Sequence, residues 1–167
     1  MYIFLLKDTI EALEKRYIKI FFCLSLILAL TATLTRWLRM QKVELFNNDI
    51  TVGFEHIVAG FGIPSFITVI FLFISILIYQ KFKNENKIDA FFNSVLYRII
   101  LLLVAIFFTI DLSFSHEIIQ ACKEVYGNDP RGYIQTWQII CDQIGVFLYI
   151  IFTLKFYSKH NKILEDE

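Results

Sequence analysis

Four long apolar runs alternate with shorter polar segments along the chain. The runs predict membrane-spanning helices at about residues 18–38, 57–79, 95–115 and 133–157. Each run is close to the roughly 20 apolar residues that a helix needs to cross the hydrocarbon core of a bilayer. Backbone groups in lipid must form their hydrogen bonds within the segment, so runs of this length fold as helices. We therefore predict an all-α fold, a four-helix transmembrane bundle in which residues 1–167 form a single integral membrane domain.

The segment before the first run has a different pattern. Apolar side chains recur at Leu6, Ile10, Leu13 and Tyr17, and charged side chains lie between them. This spacing is typical of an amphipathic helix. We expect residues 1–16 to form an N-terminal interfacial helix on the membrane surface, with the docking of a partner protein as the alternative.

Composition agrees with a membrane protein and excludes other classes. Apolar and aromatic residues make up 57% of the chain and charged residues only 19%, with 16 basic and 16 acidic side chains. A chain without net charge lacks the positive field on which non-specific nucleic-acid binding depends, and its high hydrophobicity excludes disorder. The expected partner is the lipid bilayer, together with another membrane protein or a second copy of the chain, and no nucleic acid.

Basic residues are distributed unequally between the two sides of the predicted bundle. Eleven fall on the side that holds both termini: Lys7, Lys15, Arg16, Lys19, Lys81, Lys83, Lys87, Arg98, Lys155, Lys159 and Lys162. Five fall on the other side: Arg36, Arg39, Lys42, Lys123 and Arg131. Since Lys and Arg concentrate in cytoplasmic loops, we predict that both termini are cytoplasmic.

Several polar residues fall within the spans or at their ends, on the predicted outer side. This intramembrane cluster comprises Arg36, Glu55, His56, Asp111, Asp142 and Gln143. An ionisable side chain within a span costs about 2.5–3.5 kcal/mol on insertion scales, so these groups need partners or water. We favour a structural ion pair of Arg36 with Asp111 or Asp142. The alternative is a polar cavity in the outer leaflet, with or without a bound ion.

Residue spacing predicts which helix faces meet in the bundle. In the fourth run, polar and small residues recur at intervals of three and four, at Gln135, Gln138, Asp142, Gly145 and Tyr149. Such a stripe lies on one helical face and suits a surface that packs against other helices. The first run has a similar stripe at Ser25, Ala29, Ala32 and Arg36, and the second run opens with Ala59, Gly60, Gly62 and Pro64. Glycines there allow another backbone to come close, and the proline can free a backbone carbonyl.

Metal binding is a less favoured use of the polar residues. The side chains that could supply ligands are His56, Asp111, His116 and Asp142. No H-x-x-x-H or H-E-x-x-H motif places two of them on one helical face, so we expect no metal and no other cofactor.

The three cysteines offer one covalent hypothesis. Cys122 and Cys141 both lie towards the predicted outer side, and a disulfide between them is allowed if the intervening loop folds back. We favour two unpaired thiols, because Cys141 lies well inside the fourth run. Cys23, in the first run, is expected to pack as a small apolar residue.

The sequence contains no G-x-S-x-G or C-x-x-C motif, and we assign no catalytic residue. The interpretation that we favour is a small polytopic membrane protein with a non-catalytic structural, accessory or interaction role, built around a polar seam in the outer leaflet. One alternative is a small ion- or proton-coupled transporter that acts as an oligomer. Another is a membrane enzyme with an acid and histidine site that faces the outside.

Overall fold

The computed structural model describes the backbone of residues 2–41, 48–82, 86–92, 94–123 and 129–165. Side chains are described for residues 16–41, 49–82, 87, 90–92, 94–123 and 129–156. The helices are α1 (Tyr2–Met40), α2 (Asn48–Phe82), α3 (Asn86–Phe92), α4 (Val95–Cys122) and α5 (Thr136–Glu165). All regular secondary structure in these ranges is helical, which confirms the predicted all-α fold.

Four segments of the described chain are long and apolar enough to cross a membrane. They are Arg16–Met40, Asp49–Phe82, Val95–Cys122 and Thr136–Phe156. Many of their large apolar side chains point away from the bundle: Leu30 is 61% exposed and Phe107 is 68% exposed. An apolar surface of this extent is typical of helices that contact lipid. The four helices confirm the predicted bundle and are compatible with an integral membrane protein.

Helix boundaries differ from the predicted spans. Helix α2 begins at Asn48, well before Ile57, and α4 continues past Ser115 to Cys122. Helix α1 runs without a break from Tyr2 to Met40, so the N-terminal segment and the first span form one element instead of two. The side chains of residues 1–15 lie outside the described residues, and the interfacial position of this segment stays a prediction.

The connection between α4 and α5 folds back onto the end of α4. The backbone N–H of Arg131 donates to the carbonyl of Gln120 over 3.1 Å, and that of Gly132 donates to Ala121 over 3.0 Å. These two carbonyl groups belong to the last turn of α4, and carbonyl groups in the last turn have no hydrogen-bond partner within the helix. Gly132 adopts a φ of +73°, a conformation that favours glycine. This fold-back holds Arg131 beside α4 and delays the start of α5 until Thr136, past the predicted start at residue 133.

Helix α2 lies at the centre of the bundle and packs against α1, α4 and α5. In the described part of the chain, α1 and α4 make no direct backbone contact, and both pack on α2. We call the end of the bundle near Met40 and Thr136 the connection end, and the end near Phe82 and Val95 the terminal end. Consecutive spans are antiparallel, while α2 and α5 run parallel to each other.

Glycines bring α2 and α5 into backbone contact. A Cβ atom on Gly60 would collide with the backbone carbonyl oxygen of Asp142, and one on Gly145 would collide with the carbonyl oxygen of Ile57. Close approach by small residues is a common way for membrane helices to associate. The predicted stripe of α5 faces this contact: Gln138, Asp142 and Tyr149 are buried along with Gly145, which confirms the predicted packing face.

An aromatic and apolar core fills the terminal end. Its buried cluster comprises Tyr17, Phe21, Leu72, Leu101, Ala105 and Tyr149. Helix α1 joins α5 here through side chains, since the ring centroids of Tyr17 and Phe156 lie 4.8 Å apart and those of Phe21 and Phe152 lie 5.9 Å apart. Such edge-to-face pairs add to the stabilisation that burial provides. The terminal end of the bundle is therefore apolar, whereas the polar residues lie at the connection end.

We expect Gly60→Ala to destabilise the bundle by about 1–3 kcal/mol, the usual cost of overpacking a close contact. The added methyl group would meet the backbone of Asp142, which cannot move aside as a flexible side chain can. Gly62→Ala is the matched control, because its Cβ would lie 3.2 Å from Cβ of the Leu28 side chain. Thermal unfolding in detergent should show a clearly larger loss for Gly60→Ala. Equal losses for the two variants would contradict the assigned α2–α5 contact.

Candidate functional site

Two adjoining cavities open at the connection end of the bundle. The outer one, the mouth cavity, measures about 470 Å³, and the inner one, the span cavity, measures about 610 Å³. Four residues line both cavities and form what we call the neck: Arg36, Glu55, His56 and His116. Both volumes lie in the range of roughly 300–1,000 Å³ that is usual for ligand pockets.

Charged side chains of both signs line the mouth cavity. They are Arg36, Arg39, Lys123, Arg131, Asp49, Glu55 and Asp129. The span cavity has a different lining, because small and apolar residues replace most of the charges as it descends between α1 and α4. These residues include Ala32, Ala59, Gly60, Ile63 and Leu112. The pocket is therefore polar at its opening and increasingly apolar with depth.

Asp142 anchors three helices at the wall of the span cavity. Its Oδ1 lies 3.0 Å from Nδ1 of His56 on α2, and its Oδ2 accepts a 2.5 Å hydrogen bond from Oγ of Ser113 on α4. Only 10% of the Asp142 side chain is exposed. A buried carboxylate is costly unless its oxygens are paired, and here both oxygens have partners. Asp142 therefore joins α2, α4 and α5, and its partners are His56 and Ser113 instead of the expected Arg36.

The second ring nitrogen of His56 remains open to the pocket. Its Nδ1 is held by Asp142, and Nε2 has no hydrogen-bond partner among the described residues. A carboxylate on one nitrogen fixes the ring orientation and leaves the other nitrogen for a ligand. Ser113 bonds directly to the carboxylate instead of to the imidazole. This order differs from a serine nucleophile with a histidine base, in which the histidine lies between serine and acid.

Glu55 is paired within the neck. Arg39 donates to it through Nε over 3.2 Å and through Nη2 over 2.9 Å, a two-pronged geometry that is favourable for arginine and carboxylate. Arg36, which we expected to pair with an acid of α4 or α5, instead lines both cavities and is exposed. The side chain of Arg39 is 34% exposed, so this pair lies at the edge of the mouth.

The predicted pairing with Asp111 is wrong. The buried face of α4 repeats every four residues and includes Thr109, Ser113 and Glu117. Asp111 is offset from Thr109 by about 200° around the helix at 3.6 residues per turn, which places it on the opposite, exposed face. It lines neither the mouth cavity nor the span cavity. A carboxylate in a span therefore need not face the bundle.

Glu117 is a fully buried residue that lies outside the predicted intramembrane cluster. Its side chain is fully buried, and Nη2 of Arg131 lies 3.3 Å from Oε2. The backbone N–H of Gln135 also donates to Oε2 over 3.2 Å, and Arg131 additionally donates to Gln120. Its place in the four-residue repeat of α4 was the available signal. The partner could not be found from sequence, because Arg131 reaches Glu117 only through the folded-back loop.

The remaining predicted residues have separate environments. His116 is exposed in the neck and bonds to Gln120 on the next turn of α4. Gln143 is partly buried, and its Nε2 has no hydrogen-bond partner among the described residues. No group of three His, Cys, Asp or Glu side chains in the described part of the chain could hold a metal ion. Asp111, which was also suggested as a metal ligand, lies on the exposed face of α4.

Cys122 and Cys141 are free thiols in the structure, so the suggested disulfide is not formed. Cys122 ends α4 and is exposed. Cys141 faces α2, since its Sγ lies 3.3 Å from the position that a Cβ on Gly53 would occupy. The loop folds back onto the end of α4 without bringing Cys141 with it. Cys23 is exposed, which contradicts its expected packing as a buried small residue.

We expect Asp142→Ala to destabilise the bundle by about 1.5–3 kcal/mol, the usual loss when a hydrogen bond to a charged group is removed. The change would leave His56 and Ser113 without the carboxylate that joins them. Asp111→Ala is the matched control and should stay within about 0.5 kcal/mol of the wild type, because Asp111 is exposed. Chemical or thermal unfolding in detergent measures both. A larger loss for Asp111→Ala would refute the assignment of the two carboxylates.

Comparisons with known proteins give no family for the chain. No protein-family model, no curated protein and no solved structure matches it. The function proposed below therefore rests on the geometry and chemistry of the pocket.

Proposed function

We propose that the protein is a non-catalytic membrane interaction protein whose mouth and span cavities form one outward-facing binding pocket. The observation that carries this proposal is the neck, where Arg36, Glu55, His56 and His116 line both cavities. A concave site with an apolar wall and a few convergent polar groups is the usual form of a ligand pocket. Asp142 and Glu117 hold the helices around the pocket through their hydrogen bonds and ion pairs, and this role requires no chemical reaction.

Tight packing below the span cavity favours a closed pocket over a transport path. Ser65, Thr68 and Tyr149 are fully buried there, and the hydroxyl groups of Thr68 and Tyr149 lie 2.5 Å apart. Phe21 and Ala105, also fully buried, belong to the same end of the bundle. An ion- or proton-coupled transporter would need a second packing arrangement of these residues, in which the span cavity opens towards the terminal end.

Side-chain order in the pocket weighs against hydrolytic chemistry. Ser113 donates to the carboxylate of Asp142 and not to the imidazole of His56, so the histidine is not placed to act as a base for this hydroxyl group. His56 has an open nitrogen, which suits ligand binding without a covalent step. We therefore rank the enzyme alternative below the binding function.

We further propose that the connection end faces the outside of the cell and that both termini are cytoplasmic. Eleven of the sixteen Lys and Arg residues belong to the terminal side of the bundle. This bias follows the usual distribution of positive charge across membranes. The pocket then opens to the exoplasmic side.

Reporter fusions test this orientation. We expect fusions at Met1 and at Glu167 of an enzyme that is active only in the cytoplasm to be active, because both termini would lie inside. A fusion after Lys123, at the connection end, is the control and should be inactive. Active reporters at Lys123 with silent ones at the termini would reverse the topology and the direction of the pocket.

Cysteine labelling tests the pocket itself. In a background with Cys23, Cys122 and Cys141 replaced by Ala, we expect Leu112→Cys to react with a charged, membrane-impermeant maleimide added from outside. Leu112 lines the span cavity, which we propose to be open to solvent at the connection end. Phe107→Cys on the same helix is the matched control and should react far more slowly, because Phe107 is 68% exposed but lines neither cavity.

Two results would refute the outward-facing pocket. One is equal labelling of Leu112→Cys and Phe107→Cys, because the maleimide would then reach the span cavity no better than the outer face of α4. The other is labelling of Leu112→Cys from the cytoplasmic side of inverted vesicles, which would indicate a path through the terminal-end core.

A further inference from the structure

We infer that the outer face of α4 around Asp111 docks a transmembrane helix of another protein, which carries a Lys or Arg side chain near the middle of the bilayer. The observation behind this inference is a carboxylate on the exposed side of a helix that is long and apolar enough to cross a membrane. Asp111 lines neither the mouth cavity nor the span cavity. The inference therefore goes beyond the proposed pocket and does not depend on it.

The surroundings of Asp111 within its own chain are apolar. Among the described residues, Asp111 has no hydrogen-bond or ion-pair partner. Its neighbours one turn away on the same side of α4 are Phe107, Phe108 and Phe114, and all three side chains are exposed. An ionisable group within a span needs a partner or water, and this face of α4 supplies neither.

Asp111 lies too deep in the span to reach a headgroup region. Helix α4 has 28 residues, so it is about 42 Å long and Asp111 lies about 4 Å from its midpoint, at a rise of 1.5 Å per residue. The hydrocarbon core of a bilayer is about 30 Å thick. Long Lys and Arg side chains extend from a span to the interface, but the short side chain of an aspartate does not cover that distance. The partner of this carboxylate therefore has to lie within the membrane.

Charge and length both favour lysine or arginine as the partner group. A basic side chain neutralises the carboxylate and donates a charge-assisted hydrogen bond to it, which is stronger than a bond between neutral groups. The exposed rings of Phe107 and Phe114 lie before and after Asp111 on the same face. They keep a neighbouring helix at an ordinary packing distance of about 8–10 Å between axes. A group that reaches the short aspartate across this gap has to be carried on a long side chain.

A second copy of the chain does not offer a basic group at this depth in its described spans. Copies that insert in the same orientation hold each residue at one level, so Asp111 would meet its own counterpart, and like charges repel. The basic side chains of the described spans lie towards the two ends: Arg16, Lys19, Lys81, Arg98 and Lys155 at the terminal end, and Arg36 and Arg39 at the connection end. Charge complementarity therefore favours a different membrane protein as the occupant of this face.

Fluorescence energy transfer in bilayers tests the inference on the full chain. The chain carries a donor dye at its C-terminus and is placed in phosphatidylcholine vesicles at neutral pH. The probes are acceptor-labelled leucine–alanine helices of about 20 residues, which differ only in having Lys or Leu at the midpoint. A midpoint residue lies at the same depth whichever way the helix inserts. We expect the Lys helix to associate at least about tenfold more strongly than the Leu helix, which is about 1.4 kcal/mol of discrimination.

Substitutions at Asp111 identify the docking face. Asp111→Asn removes the charge at nearly constant size, and we expect it to lower association of the Lys helix about tenfold, to the level of the Leu helix. Asp111→Glu is the matched control, which keeps a carboxylate at the same position and should retain the association. Both variants should unfold in detergent at the temperature of the wild type, because Asp111 is exposed and has no partner among the described residues.

Three outcomes would overturn the docking face. Equal association of the Lys and Leu helices with the wild type would mean that Asp111 stays in the bilayer without attracting a basic group. Equal association of the Lys helix with the wild type and Asp111→Asn would place the attraction elsewhere on the chain. Energy transfer between two differently labelled copies of the chain, lost in Asp111→Asn, would make a second copy the occupant. None of these results bears on the pocket, which the labelling of Leu112→Cys tests separately.

Discussion

The connection end of the bundle depends on the pairing of Asp142 at the point where α2 and α5 touch. Gly60 and Gly145 bring the two backbones together, and the Asp142 side chain is thereby held against His56 and Ser113. A carboxylate in so apolar a bundle is tolerated because both of its oxygens are satisfied. The same pairing orients His56, keeps α4 beside α5 and sets one wall of the pocket.

The periodicity of α5 and α4 decides which polar residues the sequence can place. In α5, intervals of three and four connect Gln138, Asp142 and Tyr149, and these residues are buried together. The error at Asp111 came from its charge, which we took as a sign of burial. The repeat of Thr109, Ser113 and Glu117 in the same helix would have placed Asp111 on the outer face. Helical spacing is thus the better guide to orientation when the two signals disagree.

Other parts of the site could not be predicted from sequence, because they depend on loop conformation and on choices between neighbouring residues. Glu117 finds Arg131 only because Gly132 turns the loop back onto α4. Glu55 pairs with Arg39 although Arg36 lies one turn earlier on the same helix. Both arginines come from the same polar end of α1, and their spacing in the sequence does not decide which one reaches the acid. The four spans, by contrast, followed from length and hydropathy, since no tertiary detail is needed to define them.

The division of the bundle into a polar and an apolar half limits what the pocket can do. Each acid of the connection end that helps to hold the helices has a basic or hydroxyl partner: Glu55 has Arg39, Asp142 has His56 and Ser113, and Glu117 has Arg131. Aromatic packing of Tyr17, Phe21 and Tyr149 fills the other half and blocks a continuous polar path. The two adjoining cavities are accordingly charged at their opening and increasingly apolar below it, on the side of the bundle that the aromatic packing leaves unfilled.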